Sequence, residues 1–206
     1  MIHRIAFALA LSLAVPALHA QTAPAAAAPQ AKEDPVRVAL DTAEGRIVIA
    51  LDRGKAPITT ANLLRYIDNK RLDGATFYRA MPNDSKGGLI QGGITDDARK
   101  LYPPIAHEPT SLTGIRHVAG TISMARQAPG SARSDFFILT ADIPGFDAGG
   151  QGGDKDGFAA FGHVVEGMEV VQKIYKAPVS ATKGLGAMKG QMLEPQIKIT
   201  KASRVK

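Results

Sequence analysis

The chain has 206 residues, a length for one domain with appendages and enough to bury a core without staples. It contains no cysteine, which excludes disulfides, thiol catalysis and thiolate metal sites, and no tryptophan among few aromatics, which leaves little to stack on nucleic-acid bases. The net charge of +6 is spread, with no run of five basic residues, so it reads as a solvated surface and not as a nucleic-acid or membrane footprint.

The first segment reads as an address. His3 and Arg4 give a short polar start, Ile5 to Val15 is apolar, and Pro16 precedes the small-residue stretch Ala17-Leu18-His19-Ala20. This is the order of a secretory signal, and the apolar part is too short to span a bilayer comfortably. Leu18, three residues before a cut after Ala20, is bulkier than usual there, which leaves a cut after Ala17 as the alternative. Residues 21–35 are nearly all Ala, Pro, Gln and Thr and offer little apolar bulk to offset their ordering entropy, so they are expected to form a flexible linker. The mature chain, 36–206 plus linker, is expected to be a soluble monomer of the periplasm, without nucleic-acid partners and without stable membrane association once the leader is removed.

In the folded part, Val36, Val38 and Leu40 recur at every second residue and share one face. After a turn-like Asp41 to Gly45, Ile47, Ile49 and Leu51 repeat that spacing, which predicts a hairpin. Pro57 suits a first helical turn, and Leu63, Leu64 and Ile67 fall at helical spacing, so a helix is expected to end before Gly74. Short strands follow at Thr76–Arg79, Leu89–Gln91, Gly120–Ala125, Phe136–Thr140 and Phe158–Val164. A short helix at Glu166–Tyr175 and a last strand around Ile197 and Ile199 complete the chain. The basic stretch Lys198–Lys206 reads as a frayed tail. Many short strands, two brief helices and no βαβ rhythm predict a mainly β fold, a closed antiparallel barrel.

Several chemistries find no support. The histidines (His3, His19, His107, His117, His163) show no zinc-like spacing and read as surface or capping residues. No serine lies in a G-x-S-x-G elbow. Gly149-Gly150-Gln151-Gly152-Gly153-Asp154 is a single glycine-rich copy without the further acidic ligands a calcium loop needs, and reads as a flexible insertion. No metal and no cofactor is expected.

Three stretches in order resemble the cyclophilin family, of the bacterial exported type. They are Phe77-Tyr78-Arg79 with Leu89-Ile90-Gln91-Gly92-Gly93; Gly120-Thr121-Ile122-Ser123-Met124-Ala125 leading to Asp135-Phe136-Phe137-Ile138; and Phe158-Ala159-Ala160-Phe161-Gly162-His163-Val164 with Glu166-Gly167-Met168-Glu169-Val170-Val171. The resemblance covers roughly Val36 to Thr200. It implies an eight-stranded barrel and peptidyl-prolyl cis-trans isomerase (rotamase) activity on proline-containing peptides and unfolded exported proteins. By position it implies Arg79 as the catalytic arginine and Gln91 as its support and a contact for substrate backbone. Leu89 takes the place of the usual pocket methionine, Phe137 is the pocket floor, Phe146 falls near the wall leucine and Phe158 at the pocket histidine. Ala125 and Arg126 match the strand that pairs with substrate backbone, and Asp135 stands where glutamine is usual.

The sequence also departs from the family pattern. The link Ala80 to Gly88 is longer than usual, and Gly88 stands where the family has a wall aromatic. Gly145 precedes Phe146 where a tryptophan is usual, and Arg126 replaces an asparagine. These differences bear on cyclosporin binding and substrate preference. They also leave two other readings: a proline-peptide binding module or chaperone that keeps the pocket but barely catalyses, and a barrel enclosing a small apolar ligand.

Overall fold

The structure, a computed structural model, describes residues 34–206 apart from Ser85 and Gly153. The leader expected over 1–20 and all but the end of the linker lie outside the described residues. The strands are β1 (Val36–Thr42), β2 (Gly45–Leu51), β3 (Thr76–Asp84), β4 (Gly87–Gly93), β5 (Thr121–Met124), β6 (Phe136–Leu139), β7 (Ala159–Glu166), β8 (Val179–Ser180) and β9 (Met192–Arg204). Eight of them run antiparallel in the order β1-β2-β7-β5-β6-β4-β3-β9, and β9 pairs back with β1, so the sheet closes on itself. The two residues of β8 add outside the ring, on β9.

The expected eight-stranded barrel is present. Lys198–Lys206 is no frayed tail, because residues up to Arg204 belong to the strand that closes the ring. Ile197, Ile199 and Ala202 of that strand are buried, and its lysines point outward.

Side chains on a strand alternate between faces, so neighbouring cross-strand rows face opposite ways. One row runs Ala80, Ile90, Ile138, Ile122, and its three isoleucines are inaccessible inside the barrel. The next row runs Gln91, Phe137, Ser123, Ala160 and faces outward. Leu89, Phe137, Leu139 and Ile143 form a second apolar cluster on that outer face, separate from the interior core. The interior is packed with side chains, and the candidate site lies outside it; no enclosed ligand chamber is needed to explain the barrel.

Helix α1 (Pro57–Asp68) packs Leu63, Leu64, Tyr66 and Ile67 into the interior core, and α3 (Met168–Tyr175) packs Val170, Val171 and Ile174 there. A third helix, α2 (Thr110–Thr113), is a single turn beyond the two expected. The first residue before α1 is Ala56, which cannot cap. Glu108 does so from 50 residues away: its carboxylate accepts from Ile58 N–H at 3.1 Å, and from Thr59 N–H at 2.7 Å and Thr59 Oγ1–H at 2.6 Å. These bonds satisfy helix N–H groups that have no partner within the helix.

Candidate active site

The outer face is shaped first by an irregularity. Phe77 pairs with Gly92 but Arg79 pairs with Gln91, so Tyr78 is one extra residue, a β-bulge. The bulge resets the alternation. Phe77 and Ala80 both point inward, while Arg79 and Met81 share the outer face with Gln91 and Leu89.

Arg79 is half-buried and hydrogen-bonded on two edges. Its Nη1–H donates to Gln91 Oε1 and its Nε–H to Gln191 Oε1, each at 2.9 Å. Gln91 Nε2–H donates to the Tyr78 hydroxyl at 2.6 Å, which fixes which way the Gln91 amide faces. Burial draws the Arg79 pKa down, with Tyr78 opposing; a guanidinium starts so high that it stays a cation at any working pH. Burial, and then the nearby Asp135 charge, push the Tyr78 phenol up, so it serves as a neutral hydrogen-bonding group.

Beside Arg79 lies the apolar cluster. Leu89 and Phe137 are buried, and Met81, Ala125, Phe146 and Phe158 pack against them. The rings of Phe137, Phe146 and Phe158 touch, with centroids 5.6 Å apart for Phe137–Phe146, 5.3 Å for Phe137–Phe158 and 4.9 Å for Phe146–Phe158. Below them stands His117, which is not a surface or capping residue as its spacing suggested but only 1 % exposed. Its Nδ1 is 2.8 Å from Asp147 Oδ1 and its Nε2 3.0 Å from Ser123 Oγ. Burial lowers the His117 pKa, so the ring is neutral at pH 7: Nδ1–H donates to the carboxylate and Nε2 accepts from serine. Burial works to raise the Asp147 carboxyl, but hydrogen bonds from His117 and Arg116 outweigh it and hold it below the usual range. The order Asp-His-Ser resembles a hydrolytic triad, yet Ser123 is inaccessible and no substrate reaches it. The network instead props up Phe137 and Phe146, against which the imidazole packs.

A cleft of about 570 Å³ opens along this face. Of the residues singled out from sequence, Arg79, Gln91, Ala125, Arg126 and Asp135 line it. Leu89, Phe137, Phe146 and Phe158 form the adjoining cluster, which Ala125 also touches. Asp135 Oδ1 is buried without a hydrogen-bond partner, and desolvation pushes its pKa up to about 6. The Arg126 side chain is only 2 % exposed and pairs with Asp154 at 2.9 Å. It also donates to the Gly157 carbonyl and lies 5.2 Å over the Phe158 ring.

The departures from the family pattern have a structural basis. Most of the stretch 80–88 is strand: β3 runs on to Asp84 and β4 begins at Gly87, with a second irregularity between Pro82 and Asp84. That irregularity brings the strands so close that a Cβ on Gly88 would lie 1.8 Å from the Met81 carbonyl oxygen. No aromatic can stand there, and Met81, opposite Leu89, packs on the cluster instead. Gly145 is in backbone contact with Gly152, whose Cβ would sit 2.2 Å from the Gly145 oxygen. Gly150 and Gly152, from the stretch read in the sequence as a flexible insertion, lie against Gly145, where the family pattern has a tryptophan. Gly150 N–H donates to Asp147 O and Phe158 N–H to Phe146 O, each at 2.9 Å, and the Arg126–Asp154 pair ties the stretch to the cleft.

Three residues of the site escape a reading of the sequence. Tyr78 is exposed to notice only once the bulge is known. Met81 would follow from continuing the alternation past Arg79. Gln191 has no local signal at all, since it arrives from the far end of the chain.

Residues 36–204 match the family model described as cyclophilin type peptidyl-prolyl cis-trans isomerase/CLD. The chain is 40 % identical to peptidyl-prolyl cis-trans isomerase A of Dickeya dadantii over 142 residues, 66 % of this chain and 70 % of that one. It is 36 % identical to peptidyl-prolyl cis-trans isomerase B of Escherichia coli over 141 residues, 66 % of this chain and 82 % of that one. In fold it is similar to a cyclophilin type isomerase of Cryptosporidium parvum solved in the presence of the dipeptide Ala-Pro, with a TM-score of 0.65, 18 % identity, and coverage of 82 % of this chain and 99 % of that one.

Proposed function

The chain belongs to the cyclophilin-type peptidyl-prolyl cis-trans isomerases, and on that premise we propose that it accelerates X-Pro isomerisation in exported proteins as they fold in the periplasm, acting as a monomer with Arg79 as its catalytic residue. The observation that carries the mechanism is the fixed, charged Arg79 at the edge of an apolar cluster on the barrel's outer face.

An X-Pro bond rotates over a barrier of roughly 18–20 kcal/mol because resonance stiffens its C–N bond. At mid-rotation that resonance is lost and the prolyl nitrogen gains a lone pair. No bond to the enzyme forms, so what helps is a seat for the ring and a donor aimed at that nitrogen. Phe137, Phe146 and Phe158 touch one another, so the proline ring seats against the face they present with Leu89 and Met81, not between them. Arg79 donates to the nitrogen as its lone pair develops, an interaction stronger in the transition state than in either ground state. Gln91, Ala125 and Arg126 border the cleft where the peptide backbone runs.

The export part of this reading is supported by the leader-like order of residues 1–20 and the Ala/Pro-rich stretch after it. No helix among the described residues is long and apolar enough to cross a membrane. Two measurements test the proposal. The mature chain should accelerate isomerisation of an Ala-Pro peptide; binding without acceleration would leave only the binding-module reading. Intact mass of the exported protein should lack residues 1–20, and a mass retaining them would end the cleavage claim.

A further inference from the structure

Arg79 is held on two edges, and only one of the holds comes from the hairpin that carries it. Gln91 sits across the β3–β4 pair. Gln191 lies 112 residues further along the chain. The β3–β9 ladder jumps from Phe77 opposite Ile197 to Arg79 opposite Met192, which swings the start of β9 and the residue before it against the arginine. Ala80 N–H donates to the Gln191 carbonyl at 2.9 Å, so the Gln191 main chain is fixed beside its side-chain bond.

Both acceptors are amide oxygens. Arg46, Arg99, Arg116, Arg126 and Arg204 each pair with an aspartate, whereas none of the described ion pairs includes Arg79. A carboxylate in place of either amide would bind the same N–H more strongly. It would also cancel the positive potential that a prolyl lone pair has to meet. Amides orient the guanidinium without that loss, and they occupy Nε–H and one Nη1–H of its five donors, leaving the others for substrate.

We infer that Gln191 is a positioning residue for the isomerisation, which with Gln91 forms a charge-neutral clamp that fixes the plane of Arg79 and leaves its charge unpaired. The inference rests on the isomerase reading above. Its diagnostic variant is Gln191→Glu, which keeps size and acceptor and adds only charge. Gln191→Ala removes the acceptor. Both are measured in the full mature chain against an Ala-Pro peptide, resolving kcat from KM, with thermal unfolding as the folding control.

Gln191→Glu is expected to unfold at or above the wild-type temperature yet to lose about tenfold or more in kcat, with KM changed less than about threefold. A merely structural role predicts the reverse, a glutamate variant at least as active as wild type. A folded Gln191→Glu enzyme with wild-type kcat overturns the clamp. Should that variant not fold, Gln191→Ala decides: reduced kcat at retained thermal stability supports the inference, and unchanged kcat overturns it. A wild-type chain that fails to accelerate the peptide would instead overturn the isomerase reading, so the two failures are distinct.

Discussion

Replacing Asp135 by asparagine measures what the cleft imposes on the fold. The carboxyl lines the cleft with Oδ1 buried and unpartnered, and desolvation raises its pKa from the ordinary 3.8 to about 6. A tenfold change in proton affinity corresponds to about 1.4 kcal/mol, so the ionised group destabilises the fold by roughly 3 kcal/mol near neutral pH. The sign follows from proton linkage. The folded chain binds this proton more tightly than the unfolded chain, so the penalty is absent below the ordinary value, grows as pH rises from 3.8 to about 6, and is constant above. Asparagine keeps the shape without the charge. Asp135→Asn should therefore be more stable than wild type by up to about 3 kcal/mol at about pH 8, and the gap should close toward about pH 4. The assay is urea unfolding of both chains across that range. A stability difference that does not vary with pH, or one that widens toward acid, would refute the reasoning. Such a gain would fit a site that holds a strained group at the expense of stability.

Other perturbations follow from named contacts. Arg79→Ala should lower kcat/KM by roughly 10²–10³ while circular dichroism shows an intact fold, and Arg79→Lys should also be slow because a mobile ammonium replaces a planar fork; near wild-type turnover in a folded alanine variant would make Arg79 merely structural. Glu108→Ala should cost about 2–3 kcal/mol in urea unfolding, since it orphans the Ile58 N–H and the buried Thr59 N–H and hydroxyl at the start of α1, with activity per folded molecule unchanged; a loss under about 0.5 kcal/mol would contradict this cap. Cyclosporin should bind at least about 2–3 kcal/mol more weakly than to family members that keep both aromatics, taking one buried aromatic's worth of contact, because backbone fills the places of Gly88 and Gly145; titration calorimetry showing tight binding would refute it.

Part of the barrel interior was legible because burial imposes a period: Val38 and Leu40, and Ile47, Ile49 and Leu51, recur at every second residue and all are inaccessible. Arg79, Gln91 and Phe137 could be singled out because family-like motifs flank them. What the sequence hid depends on register and distance. The bulge at Tyr78 and the jump in β9 are set by tertiary pairing, so neither Tyr78 nor Gln191 announces itself locally. Glu108 caps a helix from 50 residues away, outside any local capping motif. His117 failed a metal-spacing test yet is buried, because its partner Asp147 is 30 residues on. The end of the chain misled because Lys198, Lys201 and Arg204 are as basic as a tail while Ile199 and Ala202 between them face the core.

The closing strand ties competence to completion. β9 supplies the last seam of the ring to β1, runs beside β3, and is immediately preceded by Gln191, one of the two holds on Arg79. A chain lacking residues 191–204 has an open sheet edge at β1, another at β3, and an arginine secured on one edge only. Pairing between β1 and β9 joins residues 38 and 204, so it is among the most sequence-distant contacts of the fold and, by loop closure, among the last to become favourable. Arg79 therefore has both of its holds only once the strand that follows Gln191 has paired. Production of active enzyme is thus a report on finished molecules, and a partially emerged or C-terminally clipped chain contributes unpaired strands rather than partial activity.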